Sequence, residues 1–248
     1  MKKLAALLCL VSLPCFGAHT FVSPSGSDSN DCLSSGSPCL TIQRGVNQAG
    51  QMGTVYVAAG TYTAGANVEH NRTIHIEGAG GCANPEAVVI NGPGTTVFTV
   101  QDHATLTMSG LRINALGGII FASRQFAIGD YQCTHFGPAN IHVSVNEMSK
   151  INCLSVKIYG NAIYHAAVNG MSSFSMSCTM YIDAPVTFTS MLWVGGRSYV
   201  LANPLTATGT FSGGAQYIND TSLIVSPASG WPGGNPGLNV CQNGCVIQ

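Results

Sequence analysis

The chain has 248 residues, of which 46% are hydrophobic and only 8% are charged. The hydrophobic fraction is high enough to bury a sizeable core, which argues against intrinsic disorder. Beyond Lys3 the chain has seven basic side chains, against ten acidic ones in the whole chain. The basic side chains are scattered and cannot hold a polyanion, which excludes nucleic-acid binding.

Residues 1–17 have the pattern of a bacterial-type signal peptide. Two lysines precede an apolar run, residues 4–13, that is too short to span a bilayer. Cys15 and Gly17 supply the small residues of a cleavage site before Ala18. No later segment is apolar for long enough to cross a membrane. We therefore expect a protein secreted to the periplasm or the cell exterior, without membrane insertion.

The chain contains ten cysteines, two of which leave with the signal peptide. An even number in an exported chain indicates disulfides. The closest pairs, Cys32 with Cys39 and Cys241 with Cys245, are predicted to be bonded. Spacing does not determine how the other four cysteines pair. The alternative to further disulfides is that one or more of these four are free, buried thiols. These four are Cys82, Cys133, Cys153 and Cys178.

Residues 18–52 are predicted to form an amino-terminal cap. Residues 23–38 are rich in Gly, Ser, Asp and Asn, which indicates a loop. Beyond it, Ile42, Val46 and Ala49 recur at helical spacing. We expect one short amphipathic helix that covers the open first edge of a β-structure.

Residues 53–230 carry short segments that are rich in β-branched residues and separated by Gly, Asn or Pro. The first six are Thr54–Val57, Thr73–Glu77, Val88–Ile90, Val97–Val100, Thr105–Met108 and Leu111–Asn114. The segments of this region are expected to be three to six residues long, and no crossover helix lies between them. A sandwich or a propeller is the alternative, but repeat-like recurrence and few hairpin turns favour an all-β, single-stranded parallel β-helix. We expect roughly seven or eight coils, and a disulfide-closed tail at residues 231–248.

Three blocks, Ser23–Asp31, Pro38–Gln43 and Gly53–Thr63, resemble the cap and first coil of pectate-lyase-like β-helix proteins. This resemblance implies a right-handed parallel β-helix with a short amino-terminal capping helix. The rest of the chain is similar to a subset of that superfamily found in phage and prophage tail fibres and in related bacterial proteins. The segments that carry this second likeness are Gly117–Gly129, Asn140–His142, Gly160–His165, Phe211–Tyr217 and Pro232–Gly237.

The acidic residues do not form the motifs of polysaccharide-cleaving enzymes. Glycoside hydrolysis needs two carboxylates about 5 to 9.5 Å apart, yet no two acids are adjacent in this sequence. The Asp-Asp pair, the Gly-His-Gly turn and the Arg-rich run of enzymes with this fold are all missing. We therefore assign no catalytic residue, no metal and no cofactor. A lyase or hydrolase is the alternative, and it requires distant acids to converge, such as Asp102, Asp130, Glu147 and Asp183.

His142 and His165 lie 23 residues apart in similar apolar contexts. That interval is about one coil, so we predict that the two side chains stack on one face. A structural pair is the favoured interpretation, and a metal or catalytic site is the alternative.

Four aromatic residues near the carboxyl end are candidates for stacking on sugar rings, with core packing as the alternative. They are Trp193, Tyr199, Tyr217 and Trp231. Together with the resemblance, they favour a non-catalytic module that recognises a glycan or another cell-surface ligand. A structural spacer is a further alternative. The resemblance also suggests a homotrimer, although no segment marks one.

Overall fold

The computed structural model describes residues 17–176, 178–183, 185–202, 206–209, 211–218, 222–225, 240–241 and 246–247. Most of the predicted signal peptide and most of the predicted tail lie outside these residues. Within them, no helix is both long enough and apolar enough to cross a membrane.

The described residues form one α-helix, one 3-10 helix and 23 strands. The helices are α1 (Ile42–Gln48) and η1 (Pro85–Ala87). The strands are β1 (His19–Val22), β2 (Met52–Val57), β3 (Gly60–Tyr62), β4 (Asn67–Val68), β5 (Thr73–Gly78), β6 (Val88–Asn91), β7 (Thr96–Val100), β8 (Thr105–Ser109), β9 (Arg112–Ser123), β10 (Ile128–Gln132), β11 (Thr134–Val145), β12 (Lys150–Cys153), β13 (Ser155–Ile158), β14 (Ala162–Val168), β15 (Ser173–Ser175), β16 (Thr179–Ile182), β17 (Val186–Val194), β18 (Tyr199–Leu201), β19 (Thr206–Thr208), β20 (Phe211–Ile218), β21 (Leu223–Val225), β22 (Val240–Cys241) and β23 (Val246–Ile247).

Two parallel sheets wind around one core. The first sheet has ten strands in the order β1-β2-β5-β8-β10-β12-β15-β18-β21-β23. The second sheet has 13 strands and two halves: a leading half around β6 and β13, and a trailing half around β7, β14 and β17. Each coil visits the first sheet, the leading half and the trailing half in turn. The chain is therefore a parallel β-solenoid of about seven turns, as the sequence predicted.

The core is a set of ladders in which one inward side chain from each coil rests on the next. One ladder of the first sheet runs through Ile74, Leu106, Gly129, Ile151, Phe174, Val200 and Ile224. Removing these apolar side chains from water supplies the main driving force for folding. Gly129 is required in this ladder because the Phe121 ring occupies the space that a Cβ would need.

Three features differ from the sequence prediction. Residues 19–22, which were expected to belong to the cap, form β1 and pair in parallel with β2. Strands β9 and β11 are 12 residues long because each continues as one strand from the leading half, through the bend, into the trailing half. Register shifts between Phe136 and Ile141 absorb that bend. Finally, β22 and β23 extend the two sheets into the region that was expected to be a tail.

Six return turns, which carry the chain from the trailing half back to the first sheet, share one conformation in the described residues. They are His70-Asn71, Asp102-His103, Gln125-Phe126, Glu147-Met148, Gly170-Met171 and Gly196-Arg197. Both residues of every turn have φ between +54° and +66°. A backbone hydrogen bond links each turn to the next, for example from Met148 N to Gly170 O at 2.8 Å. The turns therefore stack in register along one edge of the solenoid.

A buried serine ladder follows the return turns. The backbone N–H of Ser149 donates to Ser172 Oγ, that of Ser172 to Ser198 Oγ, and that of Ser198 to Ser222 Oγ. Each hydroxyl thus satisfies a backbone group that would otherwise be buried without a partner.

Three disulfides lie in the described residues: Cys32–Cys39, Cys82–Cys133 and Cys153–Cys178. The second and third give the pairing that the sequence left open. The predicted Cys241–Cys245 bond cannot be followed, because Cys245 lies outside the described residues. Three disulfides are consistent with an extracytoplasmic location.

Candidate functional site

His142 and His165 lie inside the solenoid, and neither is exposed to solvent. Their Nδ1 atoms are 3.2 Å apart, and His142 Nε2 lies 3.0 Å from the carbonyl oxygen of Gly137. Phe136 and Phe188 pack around both imidazole rings. The pair is therefore enclosed by aromatic core residues and shielded from solvent.

These contacts fix the tautomers of both imidazoles. A carbonyl only accepts, so His142 Nε2 carries hydrogen and its Nδ1 is the acceptor. His165 must then donate through Nδ1, which leaves a lone pair on its Nε2. That Nε2 atom is buried and has no hydrogen-bond partner among the residues that the structure describes.

Burial lowers the pKa of both imidazoles because charging them would cost solvation energy. The pKa of His142 falls to about 3, although the hydrogen bond to Gly137 opposes the shift. The pKa of His165 falls well below its usual range because of burial and of the neighbouring His142. Both side chains are therefore neutral at pH 7, and the arrangement suits a structural pair better than a proton-transfer site.

The four acids that an enzyme would need to bring together lie apart. Asp130 is on the first sheet, bonded to Asn152, and Asp183 follows β16 and pairs with Lys157 at 2.8 Å. Asp102 and Glu147 occupy return turns two coils apart, on a projecting edge. None of these pairings forms a carboxylate pair in a cleft of the described residues.

The structure instead brings Glu69, His70 and Asp102 together on two neighbouring return turns. His70 Nε2 lies 3.4 Å from Glu69 Oε1, and His70 Nδ1 lies 3.4 Å from Asp102 Oδ2. One ligand-capable atom from each residue lies within 4.8 Å of the other two, so the cluster could hold a cation. Sequence reasoning missed this cluster because 33 residues separate Glu69 from Asp102.

Glu86 joins a second polar cluster on the leading half of the second sheet. Its carboxylate binds Arg112 Nη1 at 2.5 Å and His135 Nδ1 at 2.6 Å. Arg112 Nε donates to Tyr159 Oη at 2.7 Å, and Tyr159 donates to Asn114 Oδ1. Glu86 and Arg112 are therefore already partnered, so the cluster acts as a clamp for the loop that carries η1.

Electrostatics strengthens this clamp. Partial burial favours a higher pKa for Glu86, but the hydrogen bonds from His135 and Arg112 outweigh it and lower the pKa. Burial favours a lower pKa for Arg112, yet its bonds to Glu86 and Tyr159 raise it. Both groups stay charged at neutral pH, which preserves the ion pair.

Trp193 lies half-buried on the outer side of the trailing half, in β17. Its ring is 6.5 Å from that of Tyr164 on β14, with 43° between the ring planes. Tyr217 is the backbone neighbour of Trp193 on β20, although its side chain lies outside the described part. We call Tyr164 and Trp193 the aromatic pair. Tyr164 was not a candidate from the sequence, because its register partner on β17 is Ser190 and only the ring contact links it to Trp193.

A row of small side chains leads along the trailing half to Trp193. Register places Thr99, Ala122, Ser144 and Ala167 side by side on successive strands, ahead of Trp193. We call the first four the small-residue strip. Asn146 Nδ2 donates to Ser144 Oγ at 2.8 Å, which places amide groups beside the strip.

The other two aromatic candidates do not join this pair. Tyr199 lies on the first sheet, where it lines a depression of about 230 Å³ with Lys150, Ser173 and Ser175. Tyr199 lies on another face from Trp193, because the return turn at Gly196-Arg197 separates β17 from β18. Trp231 lies outside the described residues.

Taken together, these features define a right-handed parallel β-helix. Its fold is similar to that of the Escherichia coli protein YbhC, with a TM-score of 0.56 and 13% identity over 96% of this chain and 73% of that one. A rice weevil pectin methyl esterase is also similar, with a TM-score of 0.47 and 13% identity over 91% and 89% of the two chains. No family model and no curated protein matches the sequence.

Proposed function

We propose that this protein is an exported, non-catalytic β-helix that binds a weakly charged glycan along the outer side of the trailing half. The aromatic pair of Tyr164 and Trp193 carries this proposal. Two rings of this spacing, both partly exposed on the outer side of the sheet, offer apolar faces against which pyranose rings can stack.

The surroundings of the pair fit the same kind of ligand. Thr99, Ala122 and Ser144 of the small-residue strip are buried, so the polar groups open to a sugar are the amides of the partly exposed Asn146 and Asn169. Few charges line this surface, which suits a neutral polysaccharide. The resemblance to tail-fibre β-helices and the predicted signal peptide agree with a role at a cell surface.

Replacing Trp193 with Ala is expected to weaken glycan binding by about tenfold or more, since a stacking face is lost. Tyr164→Ala should act in the same direction. Affinity electrophoresis through native gels that contain xylan, glucomannan, hydroxyethyl cellulose or pectin would measure the retardation of each variant.

Tyr181→Ala is the matched control, because Tyr181 is 52% exposed on the leading half. Trp193→Phe keeps an aromatic face and should retain most of the binding. Equal losses in Tyr181→Ala and Trp193→Ala, or normal retardation of both aromatic-pair variants, would contradict the proposal.

A polysaccharide-cleaving activity is the second candidate, favoured by the proximity of the Glu69 and Asp102 carboxylates. If these two act as acid and nucleophile, which requires a short separation, Glu69→Gln and Asp102→Asn should each abolish the release of reducing ends from the same polysaccharides. Absence of such release from the unmodified protein would remove this candidate and leave the binding proposal intact.

A further inference from the structure

Three large apolar side chains project from consecutive return turns. Phe126, Met148 and Met171 are 50%, 46% and 57% exposed. They occupy the second position of turns that are hydrogen-bonded to one another, so they form one row, which we call the apolar ridge. The His103 ring extends the row by stacking on Phe126 at 5.2 Å with an 8° interplanar angle.

The backbone makes this row costly. All three residues have φ of +59° to +62°, a conformation that costs roughly 1 kcal/mol or more for residues other than Gly, Asn and Asp. Exposing their apolar surface to water adds to that cost. Gly or Asn at these positions would relieve both penalties, and burial of the row against a second molecule would remove the cost of exposure.

Charges of opposite sign flank the ridge. Asp102 lies two turns before Met148, and Arg197 lies two turns after it. At about 4.8 Å per coil, both are roughly 10 Å from Met148 along the solenoid axis. Arg197 is exposed and forms no ion pair with any other described residue.

We propose that two copies of this chain associate through their apolar ridges, antiparallel, about a two-fold axis beside Met148. The axis places Met148 against Met148 of the second copy, and Phe126 against Met171. It also places Asp102 of each copy opposite Arg197 of the other, so both ends of the contact gain an ion pair. An isologous contact of this kind closes on itself and leaves no ridge exposed.

The charges beside the ridge favour an antiparallel over a parallel orientation of the two copies. A parallel arrangement, as in the homotrimer suggested by the resemblance, would set Asp102 against Asp102 and Arg197 against Arg197. In the antiparallel arrangement the two Glu147 side chains are the only like charges of the described turns that face each other. Arg124, which also has no ion pair among the described residues, lies one coil away and can neutralise Glu147 across the contact.

Sedimentation equilibrium of the mature protein between about 1 and 100 µM tests this proposal. We expect a reversible species of twice the chain mass. Met148→Ser should weaken association by about tenfold or more, since it truncates the centre of the contact. Leu116→Ser is the matched control, because Leu116 is 74% exposed in the corner between the two halves of the second sheet.

A charge exchange tests the antiparallel geometry. Arg197→Asp and Asp102→Arg should each weaken the dimer, and the double variant should restore it because the pairs are re-formed with reversed polarity. A monomer at every concentration, a trimer mass, a dimer that survives Met148→Ser, or a double variant no better than the single ones would overturn the proposal.

Discussion

Acidification from pH 7 to about pH 4 is expected to destabilise this protein on the order of 3 kcal/mol through His142 alone, and His165 adds to the loss. Both imidazoles are fully buried and neutral in the native state, whereas they take up protons in the unfolded chain. Above pH 6.5 both states are neutral and the imidazoles impose no penalty. Between pH 6.5 and pH 3 only the unfolded state is protonated, so stability falls as the pH falls.

The measurement is urea unfolding at several pH values in that window, followed by circular dichroism. The double variant His142→Leu and His165→Leu should show a much shallower decrease, whatever its stability at pH 7. His103→Asn is the control, since it removes an exposed imidazole from a return turn and should keep the native pH dependence. The explanation fails if the double variant and the unmodified protein lose stability in parallel.

Removing the Cys82–Cys133 disulfide is expected to lower the free energy of unfolding by about 4 kcal/mol. This bond joins residues 51 positions apart and therefore restricts the unfolded chain strongly. The double variant Cys82→Ser and Cys133→Ser, unfolded in urea without reductant, measures the effect. Limited proteolysis should also detect a loosened loop around η1, although Glu86 still binds Arg112 and His135.

Cys32–Cys39 provides the matched comparison, because it closes a separation of only seven residues. The same loop-closure argument gives about 2 kcal/mol for its removal. A larger loss from Cys32→Ser with Cys39→Ser than from the Cys82 and Cys133 variant would show that loop closure does not govern these bonds.

Local sequence signals predicted the elements of the fold well. The capping helix was expected from the spacing of Ile42, Val46 and Ala49, and α1 begins at Ile42 with Thr41 as its N-cap. The short β-branched segments correspond to β2 and β5 to β8, because strand propensity and turn residues act over a few positions. Five strands of the second sheet, β9, β11, β14, β17 and β20, are longer than the expected six residues.

The candidate site was less predictable because it depends on which coils meet. Successive return turns begin at His70, Asp102, Gln125, Glu147, Gly170 and Gly196, so coil length varies from 22 to 32 residues. A fixed repeat length therefore cannot align Tyr164 with Trp193, or Glu69 with Asp102. The neighbouring positions of His142 and His165 on β11 and β14 follow from coils that differ little from the average length.

The sequence by itself determined the class of this protein, a parallel solenoid with a helical cap, because short strands, turn residues and buried apolar positions are local properties. Tertiary structure alone decided the pairing of Cys82 with Cys133, the aromatic pair and the ridge of Phe126, Met148 and Met171. The physical reason is that the backbone hydrogen bonds between neighbouring coils do not depend on which side chains the coils carry. Loop lengths set the register, and the register decides which side chains meet.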